Sequence, residues 1–151
     1  MKRLLPLCLP AFALVLLGAA PAGAGAAQAR HEKFEEIGRS FKMVTDQLKR
    51  RPPDMARAQR GAAQLAALAP QVPTWFPAGS GPQDGVRTDA KVEVWTRSAD
   101  FAKAAARFAE VAPSLKAAAD SGNREALAVA VRTVGEACKG CHDQFRVPEQ
   151  H

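Results

Sequence analysis

The feature that most constrains this chain is the pentapeptide Cys-Lys-Gly-Cys-His at residues 138–142, close to the C-terminus. Two cysteines three residues apart on a helix lie on the same side, so both thiols can add to the vinyl groups of one haem. The histidine that follows can supply an imidazole to the haem iron. The motif therefore predicts one covalent haem c, bound through Cys138 and Cys141, with His142 as an axial iron ligand.

Cys-x-x-Cys also occurs in zinc sites and in thioredoxin-like redox centres, but neither alternative fits well. A structural zinc site needs four ligands, whereas the remaining candidates in this sequence, Cys8, His31 and His151, are scattered. A thioredoxin-type dithiol belongs beside a βαβ pattern, and the sequence contains no such pattern. An exported helical protein with a Cys-x-x-Cys dithiol and no haem is a third hypothesis.

The N-terminus has the features of a secretory signal peptide. A basic start precedes an apolar run over residues 4–17, and several Ala-x-Ala cleavage sites follow. Cleavage within residues 22–27, with the best site after Ala24, predicts a signal peptide of residues 1–24 and a mature domain of residues 25–151. The apolar run is too short and too interrupted by proline for a membrane span. We therefore expect export to the periplasm, with Cys8 removed in the leader.

Charge gives only a weak indication of partners. The chain has 21 basic and 15 acidic side chains, and removal of the leader takes two of the basic ones and leaves 19. Haem propionates would lower the positive charge further, so nothing points to nucleic acid. In an oxidising compartment, neighbouring thiols would pair unless something reduces or consumes them, and haem attachment consumes them.

Four amphipathic helices are predicted in the mature chain. The first spans about residues 30–49, the second follows a cap at Asp54 and stops near Pro70, the third runs from about 89 to 119, and the fourth follows a cap at Asn123. These helices predict an all-α fold, an antiparallel four-helix bundle with covalently attached haem near the C-terminus. The fourth helix carries the haem motif on its core-facing stripe, which comprises Leu127, Val131, Val134, Cys138, Cys141 and Phe145.

Two features modify this simple helical pattern. Pro113 should kink or interrupt the third helix, because proline lacks a backbone donor and clashes with the preceding turn. Residues 72–88 are rich in proline and glycine and form a long irregular stretch. A stretch of this length is unusual as an idle connection in a compact domain. We expect it to pack against the bundle through Trp75 and Phe76.

Residues 134–146 resemble the haem segment of the cytochrome c′ family, the class II c-type cytochromes with haem near the C-terminus of a four-helix bundle. Weaker matches are Arg30 followed by Ile37-Gly38, the Phe-Pro-Ala-Gly-Ser loop at residues 76–80, and Val94-Trp95. The resemblance covers nearly all of the mature chain. It implies a haem-binding electron-transfer protein rather than an enzyme, with no catalytic residues.

The resemblance also implies roles for two arginines. Arg146 matches a basic residue that family members place one helical turn beyond the histidine, near the proximal face of the haem. Its alternative is a surface cation favoured by the dipole at a helix C-terminus. Arg30 matches a residue that the family often places near a haem propionate. Its alternative is a solvated arginine before a helix.

The residue opposite His142 decides the coordination of the iron. Low-spin family members use a methionine four residues after the matching arginine, and this chain has Phe34 there. Met43 falls on the opposite face of the helix, Met55 has no matching role, and His31 could reach the iron only if the helix start shifted. The resemblance therefore implies five-coordinate, high-spin iron with a vacant or crowded site under Phe34. The alternative for Phe34 is a core aromatic that has no effect on ligands.

Several functional hypotheses follow from this site. The first is an exported electron carrier with unidentified redox partner proteins. The second is a haem protein that binds nitric oxide or carbon monoxide, and a six-coordinate dedicated electron carrier is a less favoured variant of the first. A peroxidase is disfavoured because no distal histidine or acid–base pair is evident. Because many family members form dimers through their first two helices, the resemblance also allows a homodimer.

Overall fold

The computed structural model describes residues 23–148, and its main elements are α-helices. The predicted leader falls outside the described residues except for its last two positions. The helices are α1 (Ala24–Lys49), α2 (Met55–Leu68), α3 (Glu93–Thr96), α4 (Ser98–Asp120) and α5 (Arg124–Phe145), with 3₁₀ helices at Ala69–Trp75 and Pro82–Asp84. Among residues 23–148, no helix is long and apolar enough to cross a membrane.

The four long helices form the predicted bundle. Helix α1 packs on α2 and α5, and α4 packs on α2 and α5. Each long helix contributes an apolar stripe to one continuous core, because side chains at three- and four-residue intervals share a face. The most deeply buried large apolar side chains of this core are Val44, Leu65, Leu115, Leu127 and Val134.

The predicted caps of the second and fourth helices are confirmed. The Asp54 side chain accepts a hydrogen bond from the backbone N–H of Arg57 at 2.9 Å. The Asn123 side chain accepts from the N–H groups of Glu125 and Ala126 at 2.9 and 3.0 Å. Both side chains satisfy first-turn donors that have no partner within the helix.

The first helix begins at Ala24, six residues earlier than predicted. Alanine-rich residues 24–29 are strong helix formers, and Ala27 is buried. The residue before this helix is Gly23, where any side chain would collide with the backbone of Gly79. Tertiary packing therefore extends α1 beyond the range that its amphipathic pattern indicates. Arg30 lies inside the helix and not before it.

The predicted third helix is wrong at its start. Residues 89–92 are not helical, a single turn forms at α3, and the helix restarts as α4 after Arg97, whose backbone is non-helical. Pro113 does not interrupt α4, because the neighbouring Ala112 and Leu115 are fully buried and hold the helix against the core. The stretch at 72–88 is also more regular than expected, since its first residues belong to a 3₁₀ helix.

Helices α1 and α2 approach each other closely at Gly61. A Cβ atom placed on Gly61 would lie 2.6 Å from the carbonyl oxygen of Ser40 and 2.9 Å from the Cβ atom of Met43. Both distances are below van der Waals contact, so only glycine fits between the helices at this spacing. Met43 consequently faces α2.

Replacing Gly61 with alanine should lower the free energy of unfolding by about 1–3 kcal/mol, because the two helices must separate to admit the methyl group. Denaturant unfolding of the haem-loaded protein followed by circular dichroism measures this change. Arg60→Ala is the control: its side chain is exposed on the same helix, so its effect should stay within about 0.5 kcal/mol. A Gly61→Ala variant as stable as the parent would contradict the close approach.

Candidate haem-binding site

The two motif cysteines lie on α5, where the helix packs against the bundle. Both are half-buried against the core, and neither forms a disulfide. Val134 and Phe145, on the same stripe, are buried, as predicted. His142, one residue beyond the second cysteine, is exposed. The helix therefore turns both thiols inward.

Burial changes the acid–base behaviour of both thiols. It raises the pKa of Cys138 to about 11, with a smaller contribution from the neighbouring Cys141. Burial likewise raises the pKa of Cys141. Because a desolvated environment disfavours the thiolate, both groups are neutral thiols at physiological pH. An apolar surrounding of this kind suits thioether sulfur, which carries no charge.

Cys138 faces α1. A Cβ atom on Gly135, three residues earlier on α5, would lie 3.9 Å from the Cζ atom of Phe41 on α1. Residues three apart share a helix face, so Cys138 lies on the side of α5 that looks toward α1. Phe34 is two helical turns before Phe41 and occupies the same face of α1.

Cys141 borders a cavity of about 280 Å³ between α4 and α5. Residues from both helices line it, including Ala104 and Arg107 from α4 and Ala137 and Gln144 from α5. One cysteine thus points toward α1 and the other toward open space beside α4. The half-buried thiols and the core side chains packed around them fit a covalently attached haem. Among residues 23–148, no group of three histidine, cysteine or acidic side chains is placed to hold a metal ion.

Phe34 belongs to a group of aromatic side chains in contact with one another. The group has members on α1, α3, α4 and α5 and on the stretch between α2 and α3: Phe34, Trp75, Phe76, Trp95, Phe101 and Phe145. The ring centre of Phe34 lies 5.4 Å from that of Trp75 and 6.0 Å from that of Phe76, both edge-to-face. Phe76 continues to Phe101 at 4.7 Å, and further contacts join Phe76 to Trp95 and Phe101 to Phe145. Trp75 and Phe76 are therefore the loop anchors, as predicted.

Arg30 is buried and holds the loop that carries Phe76. Its guanidinium donates to the carbonyl oxygens of Trp75 (3.2 Å) and Ser80 (2.9 Å), and to the hydroxyl oxygens of Ser80 and Thr88 (both 2.9 Å). It also lies 4.7 Å from the ring centre of Phe76. The alternative of a solvated arginine is therefore wrong. Burial lowers the pKa of Arg30, although arginine remains protonated in proteins.

Each of the candidate sixth ligands is exposed or packed against another part of the chain. Met43 packs against α2 beside Gly61, and Met55 packs on the core in the first turn of α2. His31 is exposed and lies 3.4 Å from Glu35 one turn later.

Arg146 caps the end of α5. Its N–H donates to the carbonyl oxygen of His142 at 3.0 Å, and its extended backbone pairs with Ala90 in an isolated antiparallel bridge. The side chain is half-buried. Arg146 thus starts the segment that leaves the haem motif, one helical turn after the histidine.

Sequence reasoning missed the polar partners of Arg30 and the bridge at Ala90. Ser80 and Thr88 lie 50 and 58 positions from Arg30, and no local pattern marks such pairs. The sequence carried a weak signal for the loop, namely the glycine at position 79. In the structure Gly79 has a positive φ of 79°, which glycine adopts readily. The glycine indicated a tight turn but not that the turn binds Arg30.

Comparison with known proteins supports the haem site independently. The profile of the family described as cytochrome C′ matches residues 25–146. Cytochrome c′ of Rubrivivax gelatinosus is 35% identical over 118 residues, which are 78% of this chain and 90% of that protein. Cytochrome c′ of Pararhodospirillum photometricum is 31% identical, covering 78% of this chain and 92% of that protein.

Solved structures agree with these sequence matches. The crystal structure of cytochrome c′ from Rubrivivax gelatinosus superimposes with a TM-score of 0.74 at 33% identity, covering 82% of this chain and 96% of the other. A nitric oxide complex of a variant of cytochrome c prime from Alcaligenes xylosoxidans gives 0.73 at 28% identity, covering 83% and 95%. The profile match, the relatives and the position of the cysteine pair together show that this chain belongs to the cytochrome c′ family and binds covalent haem c.

Proposed function

We propose that this protein transfers single electrons through one haem, with Cys138 and Cys141 as the thioether positions and His142 as the axial ligand. The observation that carries the proposal is the inward-facing cysteine pair on α5, opposite the face of α1 that bears Phe34. When bound, the haem supplies a one-electron couple between ferric and ferrous iron. The chain supplies its attachment, its orientation and its apolar surroundings.

The residues around the motif would keep water from the haem. Phe101 and Phe145 are buried, and Phe34 and Phe76 close the side nearest α1 through edge-to-face contacts. A dry site strengthens the effect of each nearby charge on a bound cofactor. Two charged groups contact these aromatic side chains: Arg30 lies over Phe76, and Arg97 lies over Phe145.

We propose five-coordinate, high-spin iron, with Phe34 on the side opposite His142. Three features support this assignment: the aromatic side chain at the position where low-spin relatives have methionine, the packing of Met43 against α2, and the exposure of His31 beside Glu35. A phenylalanine offers no ligand atom. The sixth position would therefore be open to a small molecule or closed by the ring alone.

Binding of nitric oxide or carbon monoxide is the second candidate function. Two polar donors near the aromatic group already have acceptors, since Trp95 Nε1 donates to the carbonyl oxygen of Pro77 at 3.2 Å and Arg30 donates to the loop. A bound diatomic molecule would thus meet mainly apolar surface. The Alcaligenes relative described above forms a nitric oxide complex.

We further propose that the protein acts in the periplasm with redox partner proteins. The basic start, apolar run and small residues at the N-terminus support export. A homodimer remains a prediction from the resemblance.

We also propose that Arg30 supports the haem pocket through the loop. Four of its N–H···O bonds reach Trp75, Ser80 and Thr88, and the loop in turn places Phe76 between Phe34 and Phe101. A contact between Arg30 and a haem propionate stays a prediction, as does a contact between Arg146 and the proximal face.

Absorption spectra of the oxidised, reduced and carbon-monoxide-treated protein test the coordination. The parent should give a broad high-spin reduced spectrum that shifts with carbon monoxide. Phe34→Met should convert it toward a sharp low-spin spectrum with a weaker response, because a thioether then faces the iron. Met43→Leu is the matched control and should leave the spectra unchanged, since Met43 packs against α2.

A parent spectrum that is low-spin and indifferent to carbon monoxide would refute the open sixth site. Unchanged spin state in Phe34→Met, with a high-spin parent, would instead show that Phe34 does not lie over the iron. The two results therefore separate the coordination state from the identity of the residue above the haem.

Replacing Cys138 or Cys141 with alanine should weaken covalent haem retention, because each variant keeps one thioether at most. Acid-acetone extraction measures the fraction of haem that stays with the protein. Lys139→Ala, between the two cysteines, serves as control and should retain haem like the parent. Full retention in both cysteine variants would contradict the thioether assignment.

Replacing Arg30 with methionine should lower the free energy of unfolding by roughly 2–4 kcal/mol, because buried acceptors on the loop lose their donor. Denaturant unfolding of the haem-loaded protein measures the loss. Arg39→Met removes an exposed arginine of the same helix that pairs with Glu35 and should change stability by less than about 1 kcal/mol. Equal effects of the two substitutions would exclude the loop-holding role.

A further inference from the structure

The end of α5, directly after the haem motif, is held by a distant segment of the chain. Residues 89–91 run antiparallel to residues 145–147, and we call this pair of segments the strap. The N–H of Lys91 donates to the carbonyl oxygen of Phe145 at 2.9 Å, and the N–H of Val147 donates to that of Asp89 at 2.8 Å. Ala90 and Arg146 form the bridge between them.

Lys91 also acts through its side chain. Its Nζ donates to the backbone carbonyl oxygen of Asp143 at 3.1 Å, and Asp143 directly follows His142. The last four carbonyl groups of any α-helix lack a partner within the helix. In α5, Lys91 binds two of these four, at Asp143 and Phe145, and Arg146 binds a third, at His142. The ammonium group is also favoured by the dipole at this helix end.

Distant side chains also reach the last turns of the other long helices. At the end of α1, the Arg124 side chain donates to the carbonyl oxygen of Leu48, and at the end of α4, the Gln59 side chain donates to that of Ala119 at 3.3 Å. At α5, Lys91 donates through both its backbone N–H and its Nζ. The last turn of α5 therefore receives two bonds from one residue more than 50 positions earlier in the chain.

The strap leads into α3, which joins it to the aromatic group. Trp95 of α3 lies 5.9 Å from Phe76, ring centre to ring centre. The guanidinium of Arg97, just after α3, lies 5.9 Å from the ring centre of Phe145. One short stretch of chain thus contacts both the turn that carries His142 and the aromatic group beside Phe34.

We propose that Lys91 is a positioning residue for His142, which it orients by fixing the backbone that follows the histidine. This inference rests on the proposed role of His142 as the axial ligand. Two carbonyl groups of the last turn are anchored by Lys91, so loss of its side chain frees one of them and weakens the turn. The imidazole then samples a wider range of orientations.

The test compares Lys91→Met with Lys91→Arg in the haem-loaded protein. Lys91→Met keeps the apolar stem and removes the donor, whereas Lys91→Arg keeps a donor. Hydrogen exchange of the Arg146 and Val147 amides should accelerate about twofold to fivefold in Lys91→Met, the range expected for a charged group at a helix C-terminus. In resonance Raman spectra of the reduced protein, the iron–histidine stretching band should broaden and move to lower frequency. Lys91→Arg should restore both readouts.

Lys139→Met is the matched control. Lys139 pairs with the carboxylate of the same residue, Asp143, at 2.5 Å, so this variant removes an equal charge without removing a donor to a backbone carbonyl. It should leave the iron–histidine band unchanged. A band altered equally in both methionine variants would overturn the proposal in favour of a charge effect.

Two further outcomes would also overturn it. If the iron–histidine band is identical in Lys91→Met and the parent, with or without faster exchange, Lys91 caps the helix but does not orient His142. A parent that shows no iron–histidine band would refute the proposed five-coordinate iron with His142 as its axial ligand, and the inference would fail with it. The parent spectrum therefore distinguishes failure of the proposed function from failure of the positioning role alone.

Discussion

The inward orientation of Cys138 and Cys141 on α5 is the constraint on which the rest of the structure depends. A helix can turn both thiols of a Cys-x-x-Cys pair toward a bundle only if its neighbours leave space on that side. Here α1 presents its phenylalanine face to Cys138, and α4 leaves a cavity beside Cys141. Burial keeps both thiols neutral, and the apolar surroundings that disfavour a thiolate are those in which thioether sulfur is stable.

A buried cation supports the aromatic side chains near this motif. Arg30 lies in α1, and neutral oxygen atoms of the loop receive its hydrogen bonds. Burial of an unpaired charge is unfavourable unless hydrogen bonds compensate for lost hydration. The loop supplies these bonds together with the faces of Phe76 and Trp95. The loop is thereby held against α1, although it contains little regular secondary structure.

Different parts of the fold followed from different kinds of information. The helices were predictable where apolar residues recur at three- and four-residue intervals, as from Leu127 to Phe145, and where Asp54 and Asn123 supply caps. The third helix was predicted to begin near residue 89, because its composition suits a helix. Residues 89–91 instead pair with the chain beyond α5. A local sequence pattern does not reveal that residues 89–91 pair with a segment more than 50 positions away.

The sequence by itself determined the chemistry of this protein: a Cys-x-x-Cys-His motif on an amphipathic helix specifies covalent haem, and heptad-like apolar spacing specifies a helical bundle. Both depend on residues close together in the chain, whose geometry the helix dictates. Only the tertiary structure decided that Arg30 is buried, that Phe34 joins an aromatic group, and that Lys91 closes the helix bearing His142. These contacts join residues 40 to 60 positions apart, and packing of the whole bundle brings them together.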